Sequence, residues 1–201
     1  MRIFGIDPGS QRTGYGCVET DGRRHRMVTC GAIAAAAGDP FPSRLARIHR
    51  ELSAQLSKCQ PDCVAVEAIF YANNARSALK LGHVRGVAIL AAVEAGCEVV
   101  EYTPAEVKRA VVGYGRADKR QVQQMITLLL GLHTPPSPYD AADALAVAVC
   151  HVHSGLGIRD SGPGTAGLGA RDLGRGTRGS GLGTRGSGSE LKSWRQYRPA
   201  P

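Results

Sequence analysis

The order of the apolar runs constrains this chain more than any other feature. Three strand-like runs come first, separated only by turn signals. Arg2-Ile3-Phe4-Gly5-Ile6-Asp7 stops at Pro8-Gly9, Thr13 to Glu19 stops at Asp21-Gly22, and Met27 to Ile33 follows. Such short links join neighbours, so the first three strands predict an antiparallel meander. The pattern then switches to helices alternating with strands. Residues 42–58 carry Leu45, Ile48, Leu52 and Leu56 at helical spacing, with Arg44, Arg47 and Arg50 off that face. Cys63-Val64-Ala65-Val66-Glu67 reads as a buried strand, 74–95 as a long helix ending at Gly96, and Glu98 to Tyr102 as a fifth strand. Thr103, Pro104 and Glu106 open another helix with an N-cap, a first-turn proline and a capping box. Gly113-Tyr114-Gly115 breaks it, 118–130 resumes, and Ser137-Pro138 caps a last helix running to about residue 152. The sum is an α/β domain: a mixed five-stranded sheet flanked by helices. The stretch Gly86 to Val93 is apolar on nearly every side, which suits a helix central to the core or shared with another subunit.

Composition sets where folding stops. Residues 155–201 hold 13 of the 26 glycines and almost no run able to pack a core. They read as a disordered Gly/Arg/Ser-rich tail, leaving residues 1–154 as the folded domain. The chain carries 25 Lys+Arg against 17 Asp+Glu, a net +8, of which the tail holds +5 (8 minus 3). Arginine supplies 20 of the 25 cations, which suits phosphate contacts. The tail's arginines could hold nucleic acid or simply solubilise the chain, and Trp194 and Tyr197 could form a small interaction motif. No apolar stretch is long enough to span a membrane, and Met1-Arg2 leads into a strand instead of a signal peptide. The six scattered cysteines, with no second pair at zinc spacing, read as reduced thiols of a cytosolic protein. His151-x-His153 reads as a frayed helix end, its two rings diverging.

Four carboxylates occupy odd places. Asp7 and Glu67 each end an apolar strand, while Asp140 and Asp143 lie on the last helix amid Ala141, Ala142, Ala144 and Leu145. Taken singly, Asp7 could cap a turn, Glu67 could be an exposed strand end, and the helix pair could complement the macrodipole. Jointly they mean more. Residues three apart on a helix share a face, and two like charges on a packed face are costly unless a cation neutralises them. Four carboxylates brought to one point form an all-oxygen site, which selects Mg²⁺ or Mn²⁺ over zinc. A pair of such ions suits phosphodiester hydrolysis.

Ile6-Asp7-Pro8-Gly9, Val66-Glu67-x-x-Phe70, Asn74-x-x-Ser77-Ala78-Leu79-Lys80-Leu81-Gly82, Val107-Lys108-x-x-Val111-Val112-Gly113 and Asp140-Ala141-Ala142-Asp143-Ala144-Leu145-Ala146 together resemble the RuvC family. These are bacterial Holliday-junction resolvases of the RNase H-like superfamily. The resemblance runs in order from residue 1 to about 153. It implies an RNase H-like fold and a structure-selective endonuclease of recombination and repair. It implies that Asp7, Glu67, Asp140 and Asp143 hold two metal ions; some members carry histidine where this chain has Asp140. It also implies a homodimer making paired symmetric cuts at a short T-rich site, 5′-phosphate ends, and work alongside the RuvA–RuvB branch-migration complex.

Lys108, Arg109, Arg116, Lys119 and Arg120 put five cations against Asp118 within 13 residues, either a solvated helix end or a phosphate-binding face. The family pattern favours DNA contact at Lys108 and Lys119. By the same resemblance Phe70 stacks on an unpaired base, with Tyr71, Asn73, Asn74, Arg76 and Lys80 nearby to meet bases or phosphates. Two rival readings stay open. One is a related nuclease acting on RNA–DNA hybrids or RNA. The other is a junction-binding module without catalysis, or an ATP-handling member of the wider fold class using the Asp7-Pro8-Gly9 turn.

Overall fold

The structure is a computed structural model that describes residues 1–36, 38–68 and 74–160, the last five as backbone alone. Five strands form one sheet in the order β3-β2-β1-β4-β5. β1 (Arg2–Asp7), β2 (Arg12–Thr20) and β3 (His25–Ala34) are antiparallel, while β4 (Cys63–Glu67) and β5 (Glu98–Tyr102) run parallel to β1. The expected meander and mixed sheet are present. Both parallel links are helical crossovers, α1 (Phe41–Cys59) and α2 (Ala75–Glu94), as parallel pairing requires.

Strand alternation sends the two faces of β1 and β4 into different cores. Phe4, Ile6, Val64 and Val66 pack with Ile48, Leu52, Leu56, Val84 and Ala88 of α1 and α2. Ile3 and Ala65 pack on the other face, with α3 (Pro104–Val112), α4 (Lys119–Leu129) and α5 (Tyr139–Asp160). The sheet therefore lies between two helical layers.

Local chemistry sets the helix starts. Thr103 accepts from the Glu106 amide while the Glu106 carboxylate accepts from the Thr103 amide, the capping box expected for α3. Asp118 and Gln121 close a second box on α4. Asn74 is the N-cap of α2, its side-chain oxygen accepting from the Ser77 amide at 2.9 Å.

Two faces differ from the sequence reading. The helix enclosed by the fold is α5, where Ala141, Ala142 and Ala144 through Cys150 are buried. On α2 only Val84, Ala88, Ala91 and Ala92 are buried, and Leu79, Leu90 and Val93 stay exposed. Arg44, expected off the apolar face of α1, is buried at 7% exposure. It lies one turn before Ile48, so the stripe Ile48-Leu52-Leu56 extends back to it.

The end of α5 is also corrected. The helix continues to Asp160, and His151 and His153 lie within it instead of fraying. Their rings do diverge: His151 Nδ1 meets the Tyr102 hydroxyl at 2.9 Å, and His153 Nδ1–H donates to the Ala110 carbonyl at 3.0 Å. His151 thus ties α5 to strand β5 of the sheet, and His153 ties it to α3. The six cysteines are free thiols, four of them buried, and no helix among the described residues is long and apolar enough to cross a membrane.

Two glycines decide how deeply α5 sits. A Cβ on Gly5 would come within 2.8 Å of the Ala148 amide nitrogen and closer still to the Ala144 carbonyl oxygen. On Gly14 it would meet the Asp140 carbonyl carbon at 2.6 Å. The sheet face is bare backbone at these points, and the alanines of α5 let the helix backbone rest on it.

Candidate active site

The acids meet where β1 and β4 end. Parallel register pairs Ile6 with Val66, so the next residues, Asp7 and Glu67, leave adjacent strands side by side. Alternation turns both toward α5, because Gly5 and Ala65, two residues earlier, face that layer. The deep seating of α5 then brings its first two turns, with Asp140 and Asp143, to the same edge.

Burial and mutual charge shape the site. Burial drives the Asp7 carboxyl well above its ordinary value of 3.8, aided by the charges of Glu67 and Asp143 and by a hydrogen bond with Glu67. Burial also raises Glu67, while its hydrogen bond with Asp7 and the fields of Lys119 and Lys108 pull it back. Burial and mutual repulsion thus act on the two carboxyls together and disfavour charge on both at once. Asp143 is raised by burial against the opposing pull of Lys119, whose Nζ donates to Asp143 Oδ2 at 3.1 Å. The Asp143 charge in turn raises Lys119.

Asp140 stands slightly apart. Its field reaches Asp143 and Lys119, but its own side borders a cleft of about 760 Å³ walled by Gly9 to Arg12, Ala34 to Ala36 and Arg47. Asp7, Glu67 and Asp143 thus act on one another, and Asp140 acts on Asp143 while also bordering the cleft. Among the described residues no three His, Cys, Asp or Glu side chains are already drawn together tightly enough to chelate an ion. The donor set nevertheless fits a hard cation. Asp7, Glu67 and Asp143 offer only carboxylate oxygens, and a divalent ion would relieve the burial and repulsion that raise all three.

Of the basic residues expected at DNA, Lys119 bonds to Asp143 and the charge of Lys108 reaches Glu67 and Asp143. Arg109, Arg116 and Arg120 are exposed around the α3–α4 connection. Arg76 is exposed in the first turn of α2. Lys80 lies in the other helical layer, beside Phe41 of α1. Asn74 spends its side-chain oxygen on the α2 cap. Phe70, Tyr71 and Asn73 lie outside the described residues, as does the tail beyond residue 160. The sequence reading missed the glycines that seat α5. Their signal was present in the alternation Gly14-Tyr15-Gly16, which removes side chains from one strand face.

A sheet with antiparallel β1–β3, parallel β1–β4–β5 and acids at the carboxyl ends of β1 and β4 beneath an acid-bearing helix is the RNase H-like arrangement. Comparison narrows the class. The family model for crossover junction endodeoxyribonuclease RuvC matches residues 3–151. The RuvC of Koribacter versatilis is 54% identical over 155 residues, covering 77% of this chain and 93% of that one. The structure of Thermus thermophilus RuvC in complex with a Holliday junction substrate is similar at a TM-score of 0.74 and 36% identity, covering 78% of this chain and 95% of that one. The yeast mitochondrial Holliday junction resolvase shares the fold at a TM-score of 0.56 with 14% identity, over 78% of this chain and 80% of that one. The chain belongs to the RuvC family of crossover junction endodeoxyribonucleases.

Proposed function

We propose that this chain resolves four-way DNA junctions by paired, symmetric, metal-dependent hydrolysis of two phosphodiester bonds. The observation that carries this reading is the convergence of Asp7, Glu67 and Asp143 on one edge, where burial raises every carboxyl and Lys119 pairs with Asp143 alone. In the proposed site Asp7, Glu67, Asp140 and Asp143 hold two Mg²⁺ or Mn²⁺ ions. When bound, these supply an activated water and stabilise the leaving oxygen of an in-line displacement. Lys119 balances Asp143 before DNA arrives and is then free to neutralise a non-bridging phosphate oxygen. Lys108, whose field reaches the same acids, anchors the strand from α3. Phe70 stacks on an unpaired base at the branch point. Tyr71, Asn73, Asn74, Arg76, Lys80, Arg116 and Arg120 meet neighbouring nucleotides.

Paired cutting needs two copies. The outward face of α2 supplies a contact: Leu79 and Leu90 are exposed and border a shallow apolar groove with Gly82, Gly86 and Val87. An isologous contact there gives the two-fold symmetry of a junction. The reading extends to cytoplasmic action in recombination and repair with RuvA–RuvB, and to the basic residues beyond 160 holding DNA without reading sequence.

The test is incubation of a labelled synthetic four-way junction and a matched duplex with Mg²⁺, Mn²⁺ or chelator, alongside Asp7→Asn. Paired nicks in junction strands alone, dependent on metal and lost in Asp7→Asn, are expected. Cutting of an RNA–DNA hybrid without junction preference, or tight junction binding without nicks under either metal, overturns the proposal.

A further inference from the structure

A second basic cluster lies where α1 and α2 begin. Arg44, in the first turn of α1, is 7% exposed, yet its Nε and Nη2 have no hydrogen-bond partner among the described residues. Its guanidinium carbon stands 5.7 Å from the centroid of the Phe41 ring. Lys80 of α2 approaches the same ring, its Nζ 5.9 Å from the centroid. Neither cation enters an ion pair among the described residues. His83 holds the ring from its edge, at 5.9 Å between centroids, while its Nδ1–H donates to the Leu79 carbonyl at 2.6 Å.

One aromatic ring thus gathers two cations and no anion. The ring offsets part of their repulsion by cation–π attraction, but it offers the Arg44 donors no acceptor. Buried polar groups left unpaired are costly, and structures retain them chiefly where a ligand completes them. The absent group is an anion rich in acceptor oxygens, able to receive a planar guanidinium on one side and an ammonium on the other. A phosphate has that chemistry.

Topology says which phosphate. β3 ends at Ala34, paired with Arg12 at the start of β2, and Gly14 of β2 pairs with Asp7. α1 follows the end of β3, and α2 follows the end of β4 at Glu67. Both helices therefore begin at the edge that carries the acids, in the layer opposite α5. We propose that Arg44 and Lys80, arranged about Phe41, form a second phosphate site that grips the DNA backbone flanking the scissile bond. This inference rests on the junction-cutting reading and adds a contact on the side of the edge away from Lys108 and Lys119.

The test uses the full chain in chelator, so that binding is read without cutting. Affinity for a labelled four-way junction is measured between 50 and 200 mM salt, for wild type, Arg44→Met and Lys80→Met. Each phosphate contact contributes roughly 0.9 to the slope of log K against log salt. Each variant is expected to lower that slope by about 0.9, weakening binding roughly fifteenfold at 50 mM and roughly fourfold at 200 mM. Lys80→Met keeps the test decisive if Arg44→Met fails to fold, because Lys80 is only half-buried on its helix. Wild-type slopes in Lys80→Met and in folded Arg44→Met, with wild type binding normally, overturn this site and leave the junction reading standing. Failure of wild type itself to bind the junction overturns both.

Discussion

Gly5→Ala measures how strictly the position of α5 governs the site. The added Cβ would lie 2.8 Å from the Ala148 amide nitrogen, whereas ordinary contact begins near 3.4 Å. The helix must therefore retreat by at least 0.6 Å (3.4 minus 2.8) there, and farther at the Ala144 carbonyl. Backbone meets backbone at this point, so no rotamer change relieves the clash. Overpacking of this kind costs about 1–3 kcal/mol, and the rigid partner argues for the upper end. For a domain of this size, each kcal/mol is worth roughly 2–4 °C, so Tm should fall by about 6–12 °C. Asp143 precedes Ala144 and moves with it. A misplacement near 1 Å costs on the order of 10²-fold in rate, so junction cutting should fall by far more than the stability loss explains. Gly155→Ala on the same helix is the control, because its Cβ meets nothing within 4 Å. It should gain up to about 1 kcal/mol from helix propensity and cut normally. Circular dichroism melts and initial cutting rates, taken well below both transitions, provide the readout. If Gly5→Ala melts within about 2 °C of wild type and cuts at the wild-type rate, the tight seating of α5 is wrong.

Two other perturbations probe the charge and the outer face. Asp7→Asn should abolish cutting yet stabilise the metal-free chain at pH 8. The native carboxyl titrates above its unfolded value of 3.8, so the folded state binds more protons and wild-type stability falls as pH rises through that window. The variant lacks this slope, so its advantage in urea midpoint should shrink as pH drops toward 4; parallel profiles would refute the raised Asp7. Leu90→Glu places a charge on a position 50% exposed in the single chain, so it should leave Tm nearly unchanged but convert a dimer to a monomer in light scattering. A wild type that is monomeric at micromolar concentration, or a variant that stays dimeric, removes α2 from the interface.

The sequence carried the acids because each breaks a pattern. Asp7 and Glu67 interrupt apolar strands at their last residue, and Asp143 interrupts a run of alanines, so each stands out without knowledge of its neighbours. Strand order was legible for a related reason, since link length alone separates hairpins from crossovers. Burial across a helix was harder to see. The residues of α2 from Gly86 to Val93 and those of α5 are about equally apolar, and only the bare strand face at Gly5 and Gly14 decides that α5 goes deep. Arg44 misled because its chemistry says surface while its spacing before Ile48 says core. His151 and His153 looked like an ending, since the glycines after Ser154 suggested one, but their partners Tyr102 and Ala110 come from distant parts of the chain. Asn74, read only as a DNA contact, caps α2 by accepting from the Ser77 amide.

The seating of α5 also bears on motion. Side-chain interfaces yield because rotamers can rearrange, whereas a helix resting on strand backbone at Gly5 and Gly14 has little slack to take up. One body therefore carries the mounts of all four acids: the ends of β1 and β4, hydrogen-bonded to one another, and the first turns of α5 pressed against them. Such a frame holds the mounts of the acids in fixed relation among the described residues. Under the proposed function, discrimination would then fall to the nucleic acid, whose own deformability decides whether a phosphate can descend to a fixed set of oxygens.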